Sequence, residues 1–103
     1  MTIKALIKTQ LGTDLPISGG DGWSLEDAII LHHNQHYDAI RLEYTIMHSL
    51  ACIQKQPFEF VEQLLLENGD RCYDRIEVKM VTPMDRVQHR YFYFDITDCF
   101  KAF

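Results

Sequence analysis

The pair Asn68-Gly69, set between two apolar stretches, constrains the fold of this chain more than any other feature. Asn-Gly flanked by alternating apolar residues is a strong signal for a two-residue β-hairpin turn. Residues 58–67 precede the pair, and residues 73–81 follow it with regular alternation of apolar and polar side chains. The pattern predicts two antiparallel strands. Residues 58–67 also fit a helix by the spacing of their apolar side chains, and that alternative stays open.

A third strand is expected after a second turn at residues 82–85. Along residues 89–97, Phe92 and Phe94 share one face with Ile96, and the intervening tyrosines lie on the other face. This predicts a C-terminal three-stranded meander with phenylalanines in the core and half-exposed tyrosines. A stacking platform for single-stranded nucleic acid would also use such tyrosines. The net charge of −5 argues against that interpretation.

The N-terminal third gives weaker signals. Residues 3–11 alternate apolar residues with lysine, which predicts a first strand. Residues 18–22 read Ser-Gly-Gly-Asp-Gly and indicate a loop. Ser24 and Asp27 approximate a capping box. Residues 25–33 fit either a strand or a helix, and we favour a strand after a short capped turn.

Residues 37–54 are predicted to form the main helix. Eighteen residues without Gly or Pro are long for a strand and ordinary for a helix, although part of the segment also alternates like a strand. Five apolar residues fall at helical spacing: Tyr37, Ile40, Tyr44, Met47 and Ala51. The whole pattern predicts a single α+β domain over residues 1–103, with an antiparallel sheet of about four strands covered by this one helix.

The cysteines and the termini bear on the compartment. Cys52, Cys72 and Cys99 are odd in number and form no Cys-x-x-Cys pair, which is untypical of a disulfide framework. Residues 1–11 contain two lysines and no signal-peptide core, and no stretch is long and apolar enough for a membrane span. We therefore expect a cytoplasmic protein with reduced thiols, each of them buried and structural.

A histidine cluster supplies one candidate site. His32 and His36 are four residues apart, and so are His48 and Cys52. Such pairs lie on one helix face and can share a Zn²⁺ ion. The chain lacks His-Glu-x-x-His, however, and a solvated or hydrogen-bonded cluster explains the histidines without metal. A metal-binding protein or metal-dependent enzyme is therefore the alternative hypothesis, and no cofactor is expected under the leading one.

The acidic loop supplies a second candidate site. Asp21, Glu26 and Asp27 surround Trp23, and their charges would repel a phosphate from the glycines. Trp23 either fills the core, which we favour, or is an exposed anchor for a partner. If it is exposed, it forms with these acids and His36 a candidate surface for a protein partner.

Carboxylate pairs are candidates for acid–base chemistry. Asp70 with Asp74, and Asp95 with Asp98, are close in sequence. Acid–base work requires carboxyl groups with separated pKa values, which the sequence does not display. We expect all four to be surface carboxylates, and no catalytic residue is predicted.

Two segments carry a resemblance to other proteins. Gly20-Asp21-Gly22-x-Ser24-x-Glu26-Asp27-Ala28-Ile29, with Tyr73-Asp74-x-Ile76 and Tyr93-Phe94-Asp95-Ile96-Thr97, resembles a group of small bacterial cytosolic proteins of unknown function. The resemblance implies a bacterial origin and a compact α+β domain, and it assigns no ligand. The chain departs from the group at His32-His33 and His36.

The leading functional hypothesis is a non-enzymatic protein-interaction module. The net charge of −5 comes from fifteen acidic and ten basic residues, and the basic residues are scattered. A nucleic-acid partner is therefore not expected, whereas a basic protein partner fits by charge. An acidic antagonist or immunity-type protein would have this character. A homodimer joined through an exposed edge strand is a further expectation.

Overall fold

The computed structural model describes residues 2–33, 35, 37–81 and 84–100. In chain order, its elements are α1 (Ile3–Leu11), β1 (Ile17–Gly19), β2 (Ile29–Leu31), α2 (Ala39–Gln54), β3 (Glu59–Asn68), β4 (Arg71–Val81), β5 (Val87–Asp95) and α3 (Thr97–Phe100). The predicted α+β class is confirmed. The described residues form a five-stranded mixed sheet and three helices, rather than about four antiparallel strands and one main helix.

The sheet has the strand order β1-β2-β5-β4-β3. The predicted meander is confirmed, because β3, β4 and β5 pair antiparallel in succession, and Asn68 lies opposite Arg71 across the turn. Gly69 in that turn has φ 63°, a left-handed conformation that glycine adopts without steric cost. The prediction of a wholly antiparallel sheet is wrong, because β2 runs parallel to β5. The crossover that a parallel pair requires contains α2 and the β3-β4 hairpin.

Residues 3–11 form helix α1 and not the predicted strand. Ile3 and Ile7 are both buried, and a spacing of four fits one helix face as well as strand alternation. The residues at the two ends of the segment are also typical of a helix. The Thr2 side chain accepts a hydrogen bond from a first-turn N–H, and Gly12 ends the helix at φ 72°.

Helix α2 confirms the helix expected within residues 37–54, but its buried face differs from the predicted one. The buried residues are Leu42, Glu43, Ile46, Met47 and Leu50. Of the predicted face, only Met47 is fully buried, whereas Ile40 and Tyr44 are 57% and 41% exposed. The stripe of Leu42, Ile46 and Leu50 packs into the core, and this turns Ile40 and Tyr44 outward.

The segment 25–33 contains the capped turn and strand that we favoured. The Ser24 hydroxyl accepts a hydrogen bond from the N–H of Asp27 at 3.2 Å, and β2 follows. The glycines before it allow close packing, because a Cβ on Gly20 would lie 2.5 Å from the carbonyl oxygen of Asp27. The turn at residues 82–85 lies partly outside the described residues.

The core lies between one face of the sheet and helices α1 and α2. Phe92 and Phe94 of β5 are fully buried, and Ile96 is 4% exposed, as the alternation predicts. Tyr91 on the opposite face is 40% exposed. Ile17, Ile29 and other apolar residues of the N-terminal half join the same core.

Candidate functional site

Strand β3 resolves the alternative at residues 58–67 in favour of a strand, and it forms one edge of the sheet. One side of β3 pairs with β4, and no strand of the described residues pairs with the other. Nine of its ten residues are exposed. The exposed ones include four apolar side chains: Phe60 (45%), Val61 (44%), Leu64 (39%) and Leu65 (48%). A long, uncovered apolar edge is a template for pairing with another chain.

An irregularity in β3 directs part of this edge towards helix α2. The pairing with β4 shifts between Phe60 and Glu62, and such bulges re-aim side chains. The Phe60 ring consequently lies 6.3 Å from the ring of Tyr44 on α2. A cavity of about 310 Å³ lies between β3 and α2 beside these two rings, and we call it the edge groove.

A second, larger cavity of about 590 Å³ also has lining residues from α2 and β3, and we call it the Asp74 pocket. Ile40 and Leu65 lie at its exposed side, and the buried side chains of Ile96 and Asp74 line its interior. Gln63 also lines it, and its amide nitrogen donates a hydrogen bond to Asp74 Oδ2 at 2.9 Å. The volume falls in the range of small-ligand pockets, about 300–1,000 Å³.

A buried pair of carboxyl groups lies beside this pocket. Glu43 of α2 is 1% exposed, Asp74 of β4 is 6% exposed, and their side chains are hydrogen-bonded to each other. Burial, with a smaller contribution from Asp74, raises the pKa of Glu43 to about 10, so Glu43 is protonated at neutral pH. Glu43 Oε2 is buried and has no hydrogen-bond partner among the residues that the structure describes. The pair therefore has an unused acceptor in a site shielded from water.

The expectation of surface carboxylates is wrong for Asp74 and Asp95. Asp95 is 3% exposed, and its Oδ2 accepts a hydrogen bond from Arg71 Nε at 2.6 Å. Burial alone would raise the pKa of Asp95, but hydrogen bonds from Arg71 and Thr97 outweigh it and hold the pKa below its ordinary value. This pair anchors the end of β5 to β4. Asp70 and Asp98 are exposed, as expected.

The loop predicted to bind a partner joins β1 to β2. Asp21, Trp23, Glu26 and Asp27 are all exposed and close together in this loop. The carboxylate of Asp21 accepts a hydrogen bond from the Trp23 N–H at 3.0 Å. His36, the remaining residue of that prediction, lies outside the described residues.

Trp23 is 58% exposed, so the expectation that it fills the core is wrong. Its ring covers the guanidinium of Arg90 on β5, at 3.5 Å from the ring centroid to the Arg90 Cζ atom. Phe92 lies against the same guanidinium at 4.7 Å. Burial lowers the pKa of Arg90, and nearby Asp21 opposes that effect. Trp23 therefore shields a cation and holds its loop on the sheet.

The structure does not bring the histidine cluster together within the described residues. His32 shares a 2.7 Å hydrogen bond with the Ser18 hydroxyl and lies 3.8 Å from a carboxylate oxygen of Asp98. His48 and Cys52 are exposed on α2. No group of three or more His, Cys, Asp or Glu side chains among the described residues is placed to hold a metal ion. His36 lies outside the described residues, and the metal hypothesis stays a prediction.

The cysteines fit reduced thiols in different settings. Cys99 is buried and lies in the interior of the Asp74 pocket, Cys72 is half-buried, and Cys52 is exposed. Burial raises the pKa of the Cys99 thiol, with smaller contributions from the neighbouring carboxyl groups of Asp98 and Glu43. A thiol of raised pKa is a poor nucleophile, which argues for a structural Cys99. The expectation of burial is wrong for Cys52.

Sequence reasoning overlooked both the edge groove and the acid pair. Glu43 falls between Leu42 and Ile46 on the stripe that α2 buries, and a Glu in such a stripe indicates a buried carboxyl group. Asp74 lies on the same face of β4 as Ile76 and Val78, because side chains two residues apart point to the same side of a strand. This spacing also indicates that Asp74 faces the core. Neither signal shows that the two carboxyl groups meet.

The chain matches no family model, no curated protein and no solved structure at a significant level. Among the described residues, the helices lack the combination of length and hydropathy that crossing a bilayer requires. The resemblance to small bacterial proteins stays a prediction.

Proposed function

We propose that the protein is an interaction module that binds an extended segment of a partner protein along the free edge of β3. The observation that carries the proposal is the exposure of this edge, with its apolar side chains on both faces of the strand. Strand addition satisfies the unpaired backbone groups of an edge, and the side chains beside it select the partner. The edge groove would receive side chains from one face of the added strand.

The charge of the module favours a basic partner. Glu62 and Glu67 of β3 are exposed beside its apolar residues, and the chain as a whole carries a net charge of −5. Complementary charge speeds encounter and disfavours acidic competitors. An antagonist or immunity-type protein that blocks a basic protein would act in this way, without any chemistry of its own.

Two other proposals compete for the same chain. A homodimer would pair β3 with β3 of a second copy, and its mass in solution would then rise with protein concentration. A metal-binding protein built on His32, His36, His48 and Cys52 would retain stoichiometric metal when purified without a histidine tag. We favour the partner segment, because the glutamates of β3 suit basic side chains better than a second acidic edge.

Selection from a random peptide library tests the proposal. The peptides should be about as long as β3, which has ten residues. We expect selected peptides to alternate apolar residues with Lys or Arg. Leu64→Lys should weaken their binding at least about tenfold, or ~1.4 kcal/mol, because a lysine on an edge strand opposes pairing and basic ligands.

Met84→Lys is the matched control, because Met84 is 76% exposed and the change adds the same charge away from β3. Thermal unfolding of both variants verifies that each is folded. Equal binding to Leu64→Lys and to the wild type would contradict the proposal. So would selected peptides that are predominantly acidic.

A further inference from the structure

The Asp74 pocket lies at the edge where the proposed partner strand would pair. Leu65 belongs to β3 itself and Ile40 to the facing helix, so a side chain from an added strand would reach the pocket between them. The exposed entrance includes the apolar side chains of Ile40 and Leu65, whereas buried Asp74, which accepts a hydrogen bond from exposed Gln63, gives the interior a carboxyl group. A side chain with an apolar stem and a polar head group would place its stem at the apolar entrance and its head group in the polar interior.

The charge of the interior selects the head group. Asp74 presents a carboxyl group to the pocket, and Asp38 at the start of α2 adds another acid to the lining. Glu43 is hydrogen-bonded to Asp74 and lies beside the lining rather than in it. Within the described part of the chain, Glu43 Oε2 has no hydrogen-bond partner although Glu43 is 1% exposed. A buried acceptor without a partner is costly, and a donor that reached it past Asp74 would satisfy it. Positively charged donors make the strongest hydrogen bonds to carboxylates.

We propose that the Asp74 pocket binds the guanidinium group of an arginine side chain, supplied by the partner segment. This inference rests on the proposed function. The planar guanidinium has five N–H donors in a fixed fork and can contact two carboxyl groups at once. Its methylene stem would lie along Ile40 and Leu65. The pocket therefore sets specificity for arginine at one position of the bound strand.

A small probe tests the pocket without requiring strand addition. N-acetyl-arginine amide is titrated into the labelled protein, and the side-chain amide resonance of Gln63 is followed by NMR. The matched probe is N-acetyl-citrulline amide, which has nearly the same shape and no charge. We expect saturable shifts with the arginine compound and at least about tenfold weaker binding of the citrulline compound.

Asp74→Asn should weaken binding of the arginine compound at least about tenfold, because it removes the charge that the guanidinium contacts. Asp70→Asn is the matched control, because Asp70 is exposed in the β3-β4 turn, and the variant should bind like the wild type. If Asp74→Asn fails to fold, Asp38→Asn replaces it, because Asp38 also lines the pocket and asparagine can still cap α2. This variant should weaken binding several-fold. Equal binding of the two probes, or unchanged binding by the Asp74 or Asp38 variant that folds, would overturn the inference.

The selected peptides separate this inference from the proposed function. If Leu64→Lys weakens peptide binding but replacement of the peptide arginine by citrulline does not, the module stands and the arginine pocket is refuted. If the arginine probe binds at Gln63 while no peptide depends on Leu64, the pocket stands and strand addition is refuted.

Discussion

Strands β1 and β3 bound the same sheet, but they differ in length and in the apolar side chains they expose. β1 has three residues, of which only the apolar Ile17 is buried, at 1% exposed. β3 has ten residues, and its Leu64 and Leu65 are 39% and 48% exposed. Short edges resist pairing with other chains, whereas long apolar edges invite it. The comparison indicates that the β1 edge serves the fold and that the β3 edge is available for binding.

The two edges also differ in how their polar groups are used. On the β2 side, the carbonyl oxygen of Gly22 accepts a hydrogen bond from the Tyr93 N–H at 2.9 Å, so the loop closes onto β5. Each side also contains one buried polar atom that has no hydrogen-bond partner among the described residues: Arg90 Nε near the Trp23 loop, and Glu43 Oε2 beside Asp74. The two atoms differ in their surroundings, because the rings of Trp23 and Phe92 cover the Arg90 guanidinium, whereas Glu43 faces another carboxyl group.

The largest expected effect is a difference in stability between core and edge substitutions, one in β1 and one in β3. Ile17→Ala should lower the free energy of unfolding by about 2–4 kcal/mol, because it leaves a cavity in the core. Leu64→Ala should lower it by less than about 1 kcal/mol, because Leu64 is already partly in water. Denaturant unfolding monitored by circular dichroism measures both. Equal losses that grow with protein concentration would instead show that a second copy buries β3.

The next effect tests the cost of the acid pair near β3. The pKa of Glu43 is about 10 in the folded protein and 4.5 ordinarily, so the folded state holds a proton that the unfolded chain releases. Stability from this group is complete below the unfolded value and is lost as the pH rises towards about 10. Glu43→Gln should therefore raise stability at pH 7 by up to about 3 kcal/mol.

Glu43 faces Asp74 of β4 and lies near the Cys99 thiol, so both groups belong to its titrating environment. Unfolding measured at pH 5 and at pH 8 should show a smaller loss of stability in Glu43→Gln than in the wild type. Glu62→Gln, at an exposed position of β3, is the control and should follow the wild type. A pH profile unchanged by Glu43→Gln would show that Glu43 is ionised in the folded protein.

Much of the fold was predictable where local signals agree. Asn68-Gly69 and the alternation on either side indicate the meander without any tertiary information. The prediction of a strand at residues 3–11 is wrong because the spacing of Ile3 and Ile7 fits both the helical and the strand period, and the Thr2 cap was overlooked. The parallel pairing of β2 with β5 joins residues far apart in sequence, and no local pattern encodes it.

The candidate site was less predictable than the fold. The edge character of β3 depends on which strands pair, although the apolar run at Leu64–Leu66 was visible in the sequence. The meeting of Glu43 with Asp74 depends on the rotation of α2, which its many apolar residues leave ambiguous. Trp23 was misplaced for a similar reason, because its partner Arg90 is distant in sequence.

The smallest effect tests whether binding belongs to β3 or to the Trp23 loop. Trp23→Ala should lower stability by about 1 kcal/mol, because it removes the ring that covers the Arg90 guanidinium. Met84→Ala, at another exposed position, should have almost no effect. Selected peptides should bind Trp23→Ala as tightly as the wild type in fluorescence anisotropy, because the loop lies away from the β3 edge in the strand order. Loss of peptide binding in Trp23→Ala, with Leu64→Lys unaffected, would assign partner binding to Asp21, Glu26 and Asp27 around the Trp23 position.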